Sequence, residues 1–128
     1  MYNPFLQFVD YLRYREAVKK ADKAHKKTGE RYYVMPSADK GKPSLIIMDR
    51  FNFRKLKQKK YINHQATVRD LVSECFYCTA YRNGDGYLDA AGRKIKLALY
   101  FSYCKAEHTK AKQLKKQKKH KKHGKQKQ

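Results

Sequence analysis

Residues 29–48, GERYYVMPSADKGKPSLIIM, decide the fold. Two β-rich runs, over 31–35 and 44–48, flank a segment carrying Pro36, Ser37, Asp39, Gly41 and Pro43. Valine, isoleucine and tyrosine suit a pleated surface, whereas proline and glycine punctuate the chain. The spacing predicts an antiparallel β-hairpin with a long, mobile loop. Strand alternation sends Tyr33 and Met35 to one face and Tyr32 and Val34 to the other, so only one of these faces is expected to be core. A single hairpin is too small a sheet to stand alone and has to pack on helices. The class is therefore α+β and mainly helical.

Upstream, Asn3 and Pro4 read as an N-cap followed by proline at the first helical position. Phe5, Phe8, Val9 and Leu12 recur at helical spacing, and Ala17, Val18, Ala21 and Ala24 continue the stripe to about Thr28, with Gly29 as a left-handed stop. Downstream, Asn52 is expected to cap a short helix over 53–60 in which Phe53, Leu56 and Lys60 share one side. Thr67 and Asp70 have capping-box spacing, and Val68, Leu71, Val72, Cys75 and Phe76 follow with helical period. Residues 81–89, with Asn83, Gly84, Asp85 and Gly86, read as a turn. A last amphipathic helix begins near Ala90 and runs through Ile95, Leu97, Leu99, Tyr100, Phe101 and Cys104. The expected organisation is one small basic globular domain over 1–104 and a lysine-rich tail over 105–128, disordered or a frayed helical extension.

The 24 residues of that tail hold eleven lysines and one acid, and the body is basic as well, so the 128-residue chain reaches a formal net charge of +21. A field of that sign and density draws polyanions. The candidate nucleic-acid contacts are Arg54, Lys55, Lys57, Lys59 and Lys60 on the short basic helix, Lys19, Lys23 and Lys27 on the first helix, and Lys115, Lys116, Lys118, Lys119, Lys121 and Lys122 in the tail. Bases and aromatic rings also interleave at Arg13, Tyr14 and Arg15, at Arg31, Tyr32 and Tyr33, and at Tyr81 and Arg82. Rings can stack on unpaired bases while cations meet phosphates, so RNA is favoured over DNA, and a ribosome or another nucleoprotein complex is a fitting partner. Two other readings stay open. The body could be a structural or protein-interaction module whose tail tethers or solubilises, or it could be a small zinc-stapled binding module.

The zinc reading rests on Cys75 and Cys78, a C-x-x-C, with Cys104 and His108, a C-x-x-x-H. The competing reading is buried core thiols, because free cysteine packs as a small hydrophobe, and no cofactor is then needed. Asn83, Asp85, Gly86, Leu88 and Asp89 fall on calcium-loop positions, but Tyr81 and Gly92 stand where the opening carboxylate and closing glutamate belong. A turn is the better reading. No G-x-S-x-G, phosphate-cradling glycine loop or H-E-x-x-H occurs, and the carboxylates form no close pair, so a non-enzymatic protein is expected. No apolar run approaches the length of a membrane span, and the first residues lack the basic region of a secretory signal. A cytoplasmic address and three reduced cysteines are expected.

The stretches GERYYVMP (29–36), LIIMDR (45–50), FRKLKQKKY (53–61) and ECFYCTAY (74–81) resemble small basic proteins of gut bacteria of the Bacteroidetes kind and of their mobile elements. That resemblance implies a bacterial or phage origin. It carries no activity.

Overall fold

The computed structural model describes residues 2–37, 43–60 and 65–126, with side chains through Lys116. Helix α1 spans Pro4–Thr28. Asn3 Oδ1 accepts from the Leu6 N–H at 2.8 Å, and Gly29, at φ 78°, closes the helix by donating to His25 O at 2.7 Å. Both ends lie where the capping residues place them. The buried face matches the expected stripe at Ala17 and Ala21 and departs from it in the first half of the helix. Phe5 is 73% exposed, Phe8 59% and Leu12 42%, while Asp10, Tyr14, Ala17 and Ala21 are buried. At roughly 100° per residue the buried line lies on nearly the opposite side of the helix from Phe5, Phe8 and Leu12. Two alanines let the backbone approach the sheet closely, and polar anchors hold the end beyond them. Tyr14 donates to Phe76 O at 3.0 Å, and Tyr100 donates to Asp10 O at 2.6 Å.

The hairpin forms from β1 (Tyr33–Pro36) and β2 (Leu45–Met48), paired antiparallel with Tyr33 opposite Met48 and Val34 opposite Ile47. Residues 38–42 of the expected loop lie outside the described residues. A third strand, β3 (Tyr77–Cys78), pairs antiparallel with the other edge of β1, in the order β2-β1-β3. The central strand is thereby covered on both faces. Tyr33 and Val34 are each 0% exposed, which corrects the expectation that one face alone is core. Val34 packs with Tyr14, Ala17, Ala21 and Tyr100, whereas Tyr33 packs with Met48, Phe53 and Leu71.

Helix α2 (Arg50–Gln58) starts before the expected position because Asp49, not Asn52, is its cap, with Asp49 Oδ1 accepting from the Asn52 N–H at 2.7 Å. Phe53 is its buried anchor. Helix α3 (Val68–Glu74) begins in the expected capping box, the Thr67 N–H donating to Asp70 Oδ2 at 2.7 Å. It stops at Glu74, and Lys96 Nζ donates to Val72 O at 2.7 Å and Ser73 O at 3.1 Å, a cation on the negative helix end. Cys75 and Phe76 therefore leave the helix that their spacing predicts. Cys75 has extended backbone, and Phe76 and Tyr77 both join the Val34 cluster. Tyr77 stands opposite Val34, and the Phe76 N–H donates to Val34 O at 2.9 Å, so two residues face one, the count of a β-bulge.

Helix α4 (Ala90–Gln126) opens on Asp89, whose Oδ1 accepts from the Gly92 N–H at 2.7 Å. It sets Tyr100 and Cys104, both fully buried, against α1 and the sheet. The result is three layers, with α1 and α4 on one face of the sheet and α2 and α3 on the other. Two substitutions on α1 test which face is core. Phe8→Ser should leave the urea-unfolding stability within about 0.5 kcal/mol of the parent. Ala21→Leu, which inserts three carbons at a fully buried position, should cost about 1–3 kcal/mol. The reverse ranking would place the phenylalanine stripe in the core.

Candidate nucleic-acid interface and a thiol pair

The expected basic residues are distributed over both outer layers. On α2, Arg54 and Lys55 are exposed and Lys57 is half-buried, held there by Phe53 and Leu56 on the sheet side. The helix ends at Gln58, short of the expected end at 60, and leaves Lys59 and Lys60 exposed in the turn beyond it. On α1, Lys19, Lys23 and Lys27 are exposed at four-residue spacing and make one ridge. On α4, Lys115 and Lys116 are exposed, while the side chains of Lys118, Lys119, Lys121 and Lys122 lie outside the described residues. Ion pairs among the described residues join Arg13 and His108 to Asp10, Arg82 to Glu30, and Lys110 to Glu107. None of the expected contact residues is in that set, so among the described residues their charge meets no carboxylate.

A groove of about 390 Å³ between α1 and α4 joins Arg93 and Lys94, which the sequence did not single out, to Arg15 and Lys19, which it did. Arg15, Lys19, Arg93 and Lys94 line it beside Tyr11 and Tyr77. The Arg15 guanidinium lies 6.0 Å from the centre of the Tyr11 ring, and that of Arg93 lies 5.6 Å from the centre of Tyr77. Burial, with the hydrogen bond to Asp22 at 2.6 Å, pushes the Tyr77 hydroxyl's ionisation well above its ordinary value, so this hydroxyl stays a donor. The signal for Arg93 and Lys94 was present as a basic pair in the first turn of the last helix. Lysine density elsewhere outweighed it.

Of the interleaved bases and rings, Arg31, Tyr33, Tyr81 and Arg82 converge with Arg50 on one cavity of about 390 Å³ on the opposite side of the sheet. Tyr32 joins the other cluster. In the 81–89 turn, Asn83 and Asp85 bond each other through side chain and backbone, both at 3.0 Å, and Asp89 caps α4. Their oxygens are already engaged in shaping the turn.

The four candidate zinc ligands are not brought together. Cys75 and Cys78 lie in the Tyr33 cluster and Cys104 in the Val34 cluster across the sheet, while His108 Nε2 sits 2.9 Å from Asp10 Oδ2. Among the described residues no three His, Cys, Asp or Glu side chains are grouped as a metal ion requires. The Asp10 carboxylate, 1% exposed, also accepts from Tyr2 at 2.8 Å, and the Tyr2 ring stacks on His108 at 5.7 Å. Burial, with Asp10 beside it, raises the Tyr2 hydroxyl's ionisation far above the usual range. Burial likewise pushes the Cys104 thiol up to about 12.

The bulge explains the other two cysteines. In a regular strand, residues three apart point to opposite faces, but doubling Phe76 and Tyr77 on one face returns both thiols to the other. Cys75 and Cys78 lie together in the Tyr33 cluster, where the Cys75 thiol donates to Val72 O at 3.4 Å and Arg31 Nη2 donates to Cys78 Sγ at 3.3 Å. The neighbouring Cys75 first and then, against the cost of burial, Arg31 pull the Cys78 thiol below its ordinary value. The Cys75 thiol is raised, first by the neighbouring Cys78 and then by burial.

No family model, curated protein or solved structure matches this chain.

One thiolate per chain should thus ionise ahead of the ordinary thiol value of about 8.5. Ultraviolet thiolate absorbance should rise by one equivalent with a midpoint below that value. Cys78→Ser should remove that step, and Arg31→Met should move it upward. Because the folded state binds this proton less tightly than the unfolded chain, the stability it contributes is complete above about 8.5. It is lost as pH falls through the folded value. A thiolate step appearing only above the ordinary value would contradict the arrangement.

Proposed function

We propose that this protein binds nucleic acid, RNA ahead of DNA, through the phosphate backbone, and that it performs no chemical step of its own. One observation carries the reading: exposed cations on α1, α2 and α4 that meet no carboxylate among the described residues, with aromatic rings beside them. Buried or paired, these residues would be architecture. Left open, they are a surface for a polyanion.

On this reading Arg54, Lys55, Lys59 and Lys60 seat on phosphates, the Lys19, Lys23 and Lys27 ridge extends the contact, and the lysines of 105–128 follow the backbone. Releasing condensed counterions supplies the affinity. RNA is preferred because Tyr11 in the α1–α4 groove and Phe51, 64% exposed beside Lys55, offer ring faces that unpaired bases can stack on. Lysine, a point charge, holds phosphate without reading base edges, so the recognition is of shape and backbone. A ribosomal or other nucleoprotein assembly in the cytoplasm is the matching setting. No helix among the described residues is long and apolar enough to cross a membrane.

Salt titration is the test. With about 6 to 10 phosphates neutralised, affinity for RNA should fall by about three to five powers of ten between 50 and 200 mM salt. Replacing Arg54, Lys55 and Lys59 together by glutamine should reduce the slope of log affinity against log salt by roughly 2 to 3. A flat salt response sinks the reading.

The exposed Phe5, Phe8 and Leu12 on α1 favour a second reading, in which the body is a protein-interaction module and the tail a tether. Removing residues 105–128 separates the two. Loss of most RNA binding is expected under the first reading. Retention of a protein contact with no RNA binding before or after truncation is expected under the second.

A further inference from the structure

The cavity that gathers Arg31, Arg50 and Arg82 is built differently from the lysine surface. It lies between the end of α1, the start of β1, the first turn of α2 and the 81–83 turn. Its charged walls are three guanidinium groups and one carboxylate, Glu30, which Arg82 already meets at 3.5 Å. The surplus is cationic, and guanidinium forks match phosphate oxygens.

Arg31 is fixed in place. Nε donates to Thr79 O at 3.0 Å, and Nη2 donates to Gly86 O at 2.9 Å and to Cys78 Sγ. Those bonds leave Nη1 for a ligand. Its plane lies 4.2 Å from the centre of the Tyr81 ring, which keeps 43% of its surface exposed and so offers a platform for a base. Arg50 is exposed and meets no carboxylate among the described residues. Arg82 is partly engaged, donating to Thr28 O at 3.0 Å, where it offsets the negative end of α1.

Tyr33 supplies the most telling feature. It lines the cavity, is 0% exposed, and its hydroxyl has no hydrogen-bond partner among the described residues. Buried hydroxyls are almost always satisfied, so an orphan beside three arginines marks a place where an acceptor belongs. Burial holds its ionisation above the ordinary value, which keeps it a donor.

We propose that this cavity binds a terminal phosphate monoester carried by a nucleoside, either the phosphorylated end of a nucleic-acid strand or a free nucleoside monophosphate. A volume of about 390 Å³ is in the range of small-ligand sites. Because the Tyr33 hydroxyl is shielded from solvent, a ligand reaches it only by turning a wall side chain aside, which a chain end inserted into the cavity can do and a strand passing across the mouth cannot. A monoester, near two negative charges at neutral pH, is also drawn to these guanidinium groups more strongly than the single charge of an internal diester. Phosphate oxygens would accept from Arg31 Nη1, the Arg50 guanidinium and the Tyr33 hydroxyl, while the base lies on Tyr81. The strand-end source rests on the nucleic-acid reading above; the free nucleotide does not.

Binding by the full chain should be measured at fixed salt for short RNA oligonucleotides ending in phosphate at the 5′ or 3′ terminus, for their hydroxyl-ended twins, and for adenosine 5′-monophosphate and inorganic phosphate. Arg50→Gln and Tyr33→Phe are the informative variants, since one changes an exposed side chain and the other removes only the orphan oxygen. Matching urea midpoints confirm that both fold. A preference of about tenfold or more for one phosphate-ended oligonucleotide, lost in both variants while hydroxyl-ended binding is unchanged, assigns the site to strand ends. Saturable nucleotide binding without that preference, again lost in both variants, assigns it to the free nucleotide. Nucleotide binding with no affinity for any oligonucleotide upholds the cavity and removes the nucleic-acid reading. Equal affinity for both ends with no nucleotide binding overturns the proposal, as does a preference that survives both substitutions.

Discussion

Tyr33 and Val34, neighbours on β1 and each wholly shielded from solvent, send their side chains into opposite layers, and the whole architecture depends on that division. A strand of four residues can organise four helices only if both its faces are filled. The bulge on β3 is the second half of the device. By placing Phe76 and Tyr77 on one face, it fills the α1–α4 side with two large rings and frees the α2–α3 side for the two thiols. Phe76 then meets Tyr100 at 5.4 Å and Tyr103 at 5.2 Å, so α4 is joined to the sheet through aromatic contacts.

Charge is arranged around the same frame. The chain has only 11 acids against 32 bases, and most of those acids serve the architecture. Asp49, Asp70 and Asp89 cap helices, Asp85 shapes the turn, Asp22 holds the Tyr77 hydroxyl, and Asp10 gathers Tyr2, Arg13 and His108. Spent in this way, the carboxylates leave few to neutralise the surface. Fold and electrostatic field thus follow from one economy of acidic residues. The excess repels itself, and a polyanion relieves that repulsion.

Much of this was legible because it is local. Asn3 with Pro4, Gly29, and Thr67 with Asp70 are cap signals that need no knowledge of the rest of the chain, and the two β-rich runs between them carry the hairpin. What failed was non-local. Periodicity finds where apolar residues recur on α1 but not which side meets the sheet, and the buried side contains Asp10, whose partners Tyr2 and His108 lie 8 and 98 residues away. Asp49 and Asn52 are equally good caps by type, so choosing between them required knowing where β2 ends. Cys75 and Phe76 fit a helical repeat and were lost to it, because a two-residue strand and a bulge have no periodicity to detect. At the candidate sites, lysine density could be counted directly, whereas the arginine cavity is assembled from three separate stretches of chain.

Lysine and arginine are also divided by position, and the division bears on how the surface works. The tail contains no arginine; every arginine lies at or before Arg93, within the folded body. A lysine ammonium is a strongly hydrated point charge on a flexible stem, suited to following a phosphate chain of any sequence. A guanidinium is a planar fork whose value depends on being held in place, and Arg31 is held by two carbonyls and a thiol. On the proposed reading, lysines would contribute strength that salt removes, and fixed arginines position that salt affects less. A protein built of lysines alone would bind polyanions indiscriminately. On the proposed reading, placing its forked donors on the rigid layers, around a buried hydroxyl, would let this one distinguish one phosphate from another.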